Sequence, residues 1–396
     1  MPILKRLSTG YTKTHNLIGD NMKNLILTAI VLISYLFLGQ AIAKDKTITK
    51  EQQSILDERK WIDEFNEYLI SHTDVDLNIM GYNKELQMRV SGTDEISDFH
   101  KIEISQILND IVEHDKLTSQ SLMLVSYMCT FELLDEKCQT NKIHNKLIQS
   151  SPKNLSVYLY AFNRAVKEGN HEQIAGLIDL MSETEYSHLY FSLSRKFEIT
   201  LNEFAKIRPF PENSLVDELN VLKRNSKFSK PMYQNMLNNP DKYALFNYLM
   251  AYKYSLPIPA YRSLTVTCKE TAELSKPCKK IAEILINNSH TLIGTLIGHA
   301  IKVEVLTAGA NQQKIDAAIL AQEKIRTEYD CLSKSMYSSE YSMDNLFDVE
   351  IIQVGLEYER NKGEYASIKK RAELIYQKQL EQGNEEAFDP ELCYVN

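Results

Sequence analysis

The chain has little of several things that would place it quickly. Among 396 residues there are 13 glycines, 10 prolines and a single tryptophan, a balance that excludes collagen-like, low-complexity and wholly disordered classes. A basic excess is also missing. Lys and Arg number 45 against 53 Asp and Glu, a formal net charge of −8, so neither nucleic acid nor an anionic membrane surface is expected as the main partner. Familiar catalytic spacings are absent too: there is no His-Glu-x-x-His helix, no Gly-x-Ser-x-Gly elbow and no phosphate-binding glycine loop, and no catalytic residue or cofactor is expected. What remains is an acidic globular chain with room for two or three domains at roughly 100–200 residues each.

The most specific signal lies near the start. Leu25 to Leu38 is an almost unbroken apolar run, preceded by Lys23 and followed by Gly39-Gln40 and Ala41-Ile42-Ala43. That order is a charged region, an apolar stretch of secretory length and a small-residue cleavage site, as a signal peptide requires. Counted from Met22 it has ordinary length, so Met22 is the expected start and residues 1–43 the segment removed. The other reading is an uncleaved anchor, since Leu25 to Ala43 falls just short of the roughly 20 residues that span a bilayer. Cleavage leaves a chain without stable membrane insertion, exported to the periplasm or secreted.

Cysteines occur at 129, 138, 268, 278, 331 and 393. In an exported protein an even set reads as disulfides, and the close pairs are too far apart for a zinc site. Six cysteines permit fifteen pairings. Geometry favours Cys129 with Cys138, Cys268 with Cys278 and Cys331 with Cys393, because each close pair brackets a turn between antiparallel helices, where Cα atoms approach to about 5.5–6 Å.

Apolar residues recur at helical spacing through most of the remaining chain. Thr49 and Gln52 have the capping-box form, and Ile55, Ile62, Phe65 and Leu69 follow along one helical face. A helix is expected from about Asp94. Between these two, Val75, Leu77 and Ile79 alternate with polar residues, Gly81-Tyr82-Asn83-Lys84 intervenes, and Leu86, Met88 and Val90 alternate again, which predicts a short β-hairpin near residues 75–90. From about Leu117 the chain reads as helical hairpins, with Gly169-Asn170 as a helix stop. Pro209, Pro211, Pro257 and Pro259 mark boundaries. The expected fold is therefore mainly α: antiparallel helical hairpins stacked in a repeat-like curved array. Its segments are 44–116 (N-terminal), 117–208 (first unit), 209–258 (connector), 259–325 (second unit) and 326–396 (C-terminal, closed by a disulfide).

An internal echo supports two units. Lys142-Ile143, Leu147-Ile148 and Ser151 line up with Lys280-Ile281, Leu285-Ile286 and Ser289 at a constant offset, as two stacked helical units would; two unrelated amphipathic runs aligned by chance are the alternative. In a 34-residue frame from Leu155, Tyr158 takes the aromatic position, Ala161 the next inner one, Gly169-Asn170 the turn, and Ile174 and Ile178 the second helix, so the block resembles the tetratricopeptide class of helical repeat. Phe162 and Ile174 depart from that class by standing where small residues are usual. The double-cysteine hairpin also resembles uncharacterised exported helical proteins of proteobacteria, a likeness that implies no activity.

Three sets of residues bear on chemistry. Asp74, Asp76, Asn78 and Glu85 fall at positions 1, 3, 5 and 12 of a calcium-loop pattern, but Ile79 stands where the turn needs glycine, so a solvated strand face competes with a metal site. His171 reads as an exposed residue at a helix start, and His299 as a hydrogen-bonded packing residue. The 22 tyrosines, among them Tyr158, Tyr160, Tyr243, Tyr248, Tyr252 and Tyr254, suit either a binding surface or a helical core edge, the latter preferred. The expected function is an exported helical scaffold or protein- or peptide-binding module; the alternative is a hydrolase whose acid and base converge from distant helices.

Overall fold

A computed structural model describes residues 49–91, 98–114, 117–130, 134, 138–190, 192–211, 229–308, 312–337 and 342–394. The expected signal segment 1–43 and the expected start at Met22 lie outside the described residues. Among those described, the fold is mainly α.

Local signals start and stop these helices. Thr49 caps α1 (Lys50–Ile70) in a capping box: Gln52 N donates to Thr49 Oγ1 at 3.1 Å, and Thr49 N to Gln52 Oε1 at 2.9 Å. Trp61, Phe65 and Leu69, spaced at i, i+4 and i+8, form its buried face. α2 (Val75–Ser91) and α3 (Asp98–Val112) follow, then α4 (Ser119–Met128) and α5 (Thr140–Ser150). A 3-10 turn, Leu155–Tyr158, leads into α6 (Leu159–Glu168). Gly169 ends α6 with φ 68°, and Asn170 opens α7 (His171–Ser182) by accepting from Gln173 N at 3.1 Å. Next come α8 (Arg195–Ile207), α9 (Lys230–Asn238), α10 (Pro240–Tyr254), α11 (Arg262–Glu270), α12 (Ser275–Asn288) and α13 (Leu292–Ala308). The chain closes with α14 (Gln312–Tyr337), α15 (Ser342–Phe347), α16 (Val349–Lys362), α17 (Glu364–Glu381) and a 3-10 turn at Pro390–Cys393. Sequence neighbours pack on one another, notably α1 on α2, α6 on α7, α12 on α13 and α16 on α17.

The expected hairpin at 75–90 is replaced by helix α2. The alternation misleads because its polar positions Asp76 and Asn78 are occupied by partners. Asp74 caps the helix through the amides of Asp76 (3.1 Å) and Leu77 (3.4 Å). Asp76 accepts from the hydroxyls of Thr118 (3.0 Å) and Ser121 (2.5 Å) of the α4 start, and Asn78 Nδ2 donates to Ile70 O. Leu77, Ile79, Met80 and Leu86 are all buried, including the neighbours Ile79 and Met80 that no single strand face could hold.

Among the described residues three hydrophobic cores result. The first joins α1 and α2 to α8 and α10 around Trp61, Phe65, Phe197, Phe204 and Tyr252. The second joins α6 and α7 to α11, α12 and α13, and holds Leu147, Ile281 and Leu285 from both echoed segments in one interior. A third, smaller core gathers Leu332, Met336, Ile351, Ile368, Ala372, Ile375 and Cys393 at the C-terminal end. Disulfides link Cys129 to Cys138, Cys268 to Cys278 and Cys331 to Cys393, with Cα separations of 5.8, 5.6 and 5.5 Å. The first two bracket the α4–α5 and α11–α12 turns; the third ties the terminal 3-10 turn to α14.

Candidate functional site

Helix ends carry backbone groups that need partners, and here four connectors meet those needs by lying side by side. They are residues 151–155 after α5, 186–190 after α7, 288–292 between α12 and α13, and 363–364 between α16 and α17. Leu155 N donates to Tyr186 O (2.8 Å), Ser187 N to Asn288 O (3.0 Å), His290 N to Ser187 O (2.9 Å) and Glu364 N to His290 O (2.7 Å). Two parallel bridges, Asn154 with Tyr186 and Ser187 with Ser289, mark the same register. Asn154, wholly buried, clamps His188 from both sides: its Nδ2 donates to His188 O and its Oδ1 accepts from His188 N, each at 2.8 Å. Gly363 has φ 89°, and a Cβ there would lie 2.7 Å from His290 O, so both conformation and proximity demand glycine.

The seam carries an aromatic stack. His188 stands between Tyr190 and His290, with ring centroids 4.5 and 4.4 Å away and the planes near perpendicular. Tyr190 takes the left-handed conformation, φ 52°, uncommon for a residue with a side chain. Gln120 of α4 holds it there by donating from Nε2 to the carbonyls of Tyr190 and Ser192 (both 2.9 Å), and the Tyr190 hydroxyl pairs with Ser151 Oγ at 2.9 Å. Burial, with His290 adding to it, pushes the His188 imidazole down to about 4, and burial also lowers His290. Both rings are therefore neutral at neutral pH.

Charged groups flank the seam on its α16–α17 side. Lys253 of α10 and Glu359 of α16 form an ion pair whose side chains are 9% and 10% exposed. Burial raises the Glu364 carboxyl above the ordinary range; Glu359 adds to that, and Leu292 N (2.8 Å) and Lys253 only partly offset it. Arg360 reaches Glu198 of α8 at 2.7 Å and donates from Nε to Leu193 O at 2.8 Å.

Beside the seam, the C-terminal ends of α7 and α12 enclose an open groove of about 320 Å³. Ser182, Glu183 and Thr184 form one wall; Lys280, Glu283, Asn287 and Asn288 form the other, and Ile284 contributes an apolar side chain. Lys280 pairs with Glu183 across it at 2.5 Å, and Asn288 Nδ2 donates to Glu185 O at 2.9 Å.

The structure brings few of the sequence candidates together. All six cysteines are in disulfides. Asp74 and Asp76 face Lys196 of α8 and the α4 cap instead of a cation, and Asn78 and Glu85 stand on helix α2. Burial alone would raise the Asp74 carboxyl, but Lys196 and the Leu77 and Asp76 amides outweigh it and hold it below the ordinary range. Among the described residues no three His, Cys, Asp or Glu side chains form a group that could hold a metal. His171 is exposed. His299 is buried, but neither ring nitrogen has the hydrogen bond expected for it. Tyr158, Tyr160, Tyr243, Tyr248 and Tyr252 are core residues, whereas Tyr254 is half exposed.

Asp74→Ala is accordingly expected to cost about 1–2 kcal/mol at pH 7 as the α2 cap is lost. Its carboxyl is held low when folded, so this contribution is present above the ordinary carboxylate range and fades as pH falls through the folded value. Urea unfolding checks both points. Excess calcium or a chelator should leave the midpoint unchanged, and a calcium-dependent rise would reinstate the metal reading.

Sequence reasoning missed His188, His290, Lys253, Glu359 and Glu364. One signal did point toward them: the echoed positions Ser151 and Ser289 both lie in seam connectors, the first meeting Tyr190 and the second bridging Ser187. No protein-family model, curated protein or solved structure matches this chain.

Proposed function

We propose that the chain is an exported, disulfide-stapled helical scaffold that binds a protein or peptide in the periplasm or outside the cell. The observation that carries this reading is the α7–α12 groove. Its volume of about 320 Å³ is at the lower end of ligand sites, it is open to solvent, and hydroxyl, amide and charged side chains line it around Ile284. An open trough of that chemistry suits an extended segment, whose backbone groups find donors and acceptors while one apolar side chain meets Ile284. Three disulfides suit an oxidising compartment, and no described helix is long and apolar enough to cross a membrane.

The test is site-specific photo-crosslinking in intact cells from position 287, on the groove wall, against position 172, on the exposed start of α7. A discrete partner captured from 287 and lost on Ile284→Glu supports the reading. Equal capture from both positions, or none from 287 in cells that produce the folded protein, overturns it.

A hydrolase is the second reading, favoured by one observation: the His188 and His290 rings meet from distant segments, with Glu364 joined to His290 through the backbone. It would require a hydrolytic activity that His290→Ala abolishes while the fold persists.

A further inference from the structure

At the His188–His290 contact two imidazole side chains are pressed together within the seam. Their rings touch at 4.4 Å between centroids, and both residues also use their backbones to hold the seam: His290 bonds Ser187 and Glu364, and His188 is clamped by Asn154. A proton on either ring would place an imidazolium in a half-buried aromatic stack, and protons on both would set two positive charges face to edge.

The groups around the pair offer little compensation. On the 151–155 connector, Lys153 is ion-paired to Glu185 at 2.6 Å. On α4, Gln120 is occupied by Tyr190 O and Ser192 O. Glu364 of α17 spends its carboxylate on Leu292 N, Glu359 of α16 is paired to Lys253 of α10, and Arg360 is paired to Glu198 of α8. Glu283 of α12 lines the neighbouring groove. Burial holds the Tyr186 hydroxyl above its ordinary range, so it brings no charge to the pair, and Tyr190 stands edge-on to the His188 ring.

We propose that the His188–His290 stack is an acid-sensitive joint: it clamps the 186–190, 288–292 and 363–364 connectors while both rings are neutral and releases them when His188 takes a proton. Release would part the 363–364 connector from the second core and loosen the groove, because Ser187 N is bonded to the carbonyl of Asn288, which lines the groove.

The sign follows from the direction of the shift. A histidine held near 4 when closed and near 6.5 when open binds more protons open, so the closed seam is strongest above about pH 6.5 and weakens as pH falls toward 4. Between pH 7.5 and 5.0 the opening equilibrium should rise about thirty-fold.

Hydrogen exchange on the full chain tests this at the amides of Ser187, His290 and Glu364, corrected for intrinsic exchange and compared with α1 amides. The expected result is a rise of about thirty-fold at the seam beyond any change in α1, abolished in His188→Phe, which keeps the stack without the titration. A change under about three-fold, or one that persists in His188→Phe, overturns the joint. Should His188→Phe fail to fold, NMR titration of His188 in the unmodified protein decides: a midpoint near 4 supports the joint, and one at 6 or above overturns it.

Discussion

Cys331→Ala combined with Cys393→Ala is expected to remove about 4 kcal/mol of stability from the C-terminal core, against about 2.7 kcal/mol for either of the other cysteine pairs. In the chain-entropy view the difference comes from loop length: the Cys331–Cys393 link closes 62 residues, the others 9 and 10. The local structure makes the long link matter more. The third core is small, and its last contributor, the Pro390–Cys393 turn, buries Pro390 and Cys393 while Leu392 stands 72% exposed. Apart from the disulfide the turn is held by Tyr394, which Lys369 approaches at 4.2 Å from the ring centroid, and by its Asp389 cap. Those contacts are worth about 1 kcal/mol each, less than the link itself contributes. Urea unfolding of the three paired-alanine variants, with exchange of the Leu332 and Ile375 amides as the local readout, checks the order. A C-terminal variant within about 1 kcal/mol of the parent would show that packing, not the link, holds this core.

What could be read from the chain in advance was what neighbours in sequence decide. Thr49 and Gln52 cap the first helix, Gly169 and Asn170 turn α6 into α7, and close cysteine pairs bracket turns. The same local logic failed at 75–90. There the partners that bury the polar positions, Thr118 and Ser121, lie more than 40 residues away, and a period-two pattern cannot tell a solvated carboxylate from a capped one. The seam lay further out of reach. Asn154 and His188 are 34 residues apart and Leu292 and Glu364 72, and no residue among them is unusual in its own neighbourhood. Two soluble-looking histidines acquire depressed basicity only because helix packing delivers their connectors to one row.

The buried ion pair beside that row gives the other large effect. Lys253→Met is expected to destabilise the protein by about 3–5 kcal/mol at pH 7, because it leaves Glu359 charged and uncompensated in the interior. Both side chains are about nine-tenths buried, and Glu359 already faces a second carboxyl, Glu364, that burial and Glu359 itself hold above its ordinary range. Without Lys253 two carboxyls would compete for one low-dielectric site, and Glu364, already held above its ordinary range, would lose the offset that Lys253 gives it. The loss in Lys253→Met should therefore shrink as pH falls from 7 toward 5, opposite in sign to the weakening of the histidine joint over the same range. The double variant Lys253→Met with Glu359→Leu removes both charges while filling their volume, and should recover most of the loss, as buried pairs replaced by apolar residues do. Denaturant unfolding of the two single variants and the double as a thermodynamic cycle measures the coupling. A Lys253→Met variant within 1 kcal/mol of the parent would mean that water reaches Glu359, and a double variant no better than the single would mean that Lys253 acts through its aliphatic packing against α16 and not through its charge.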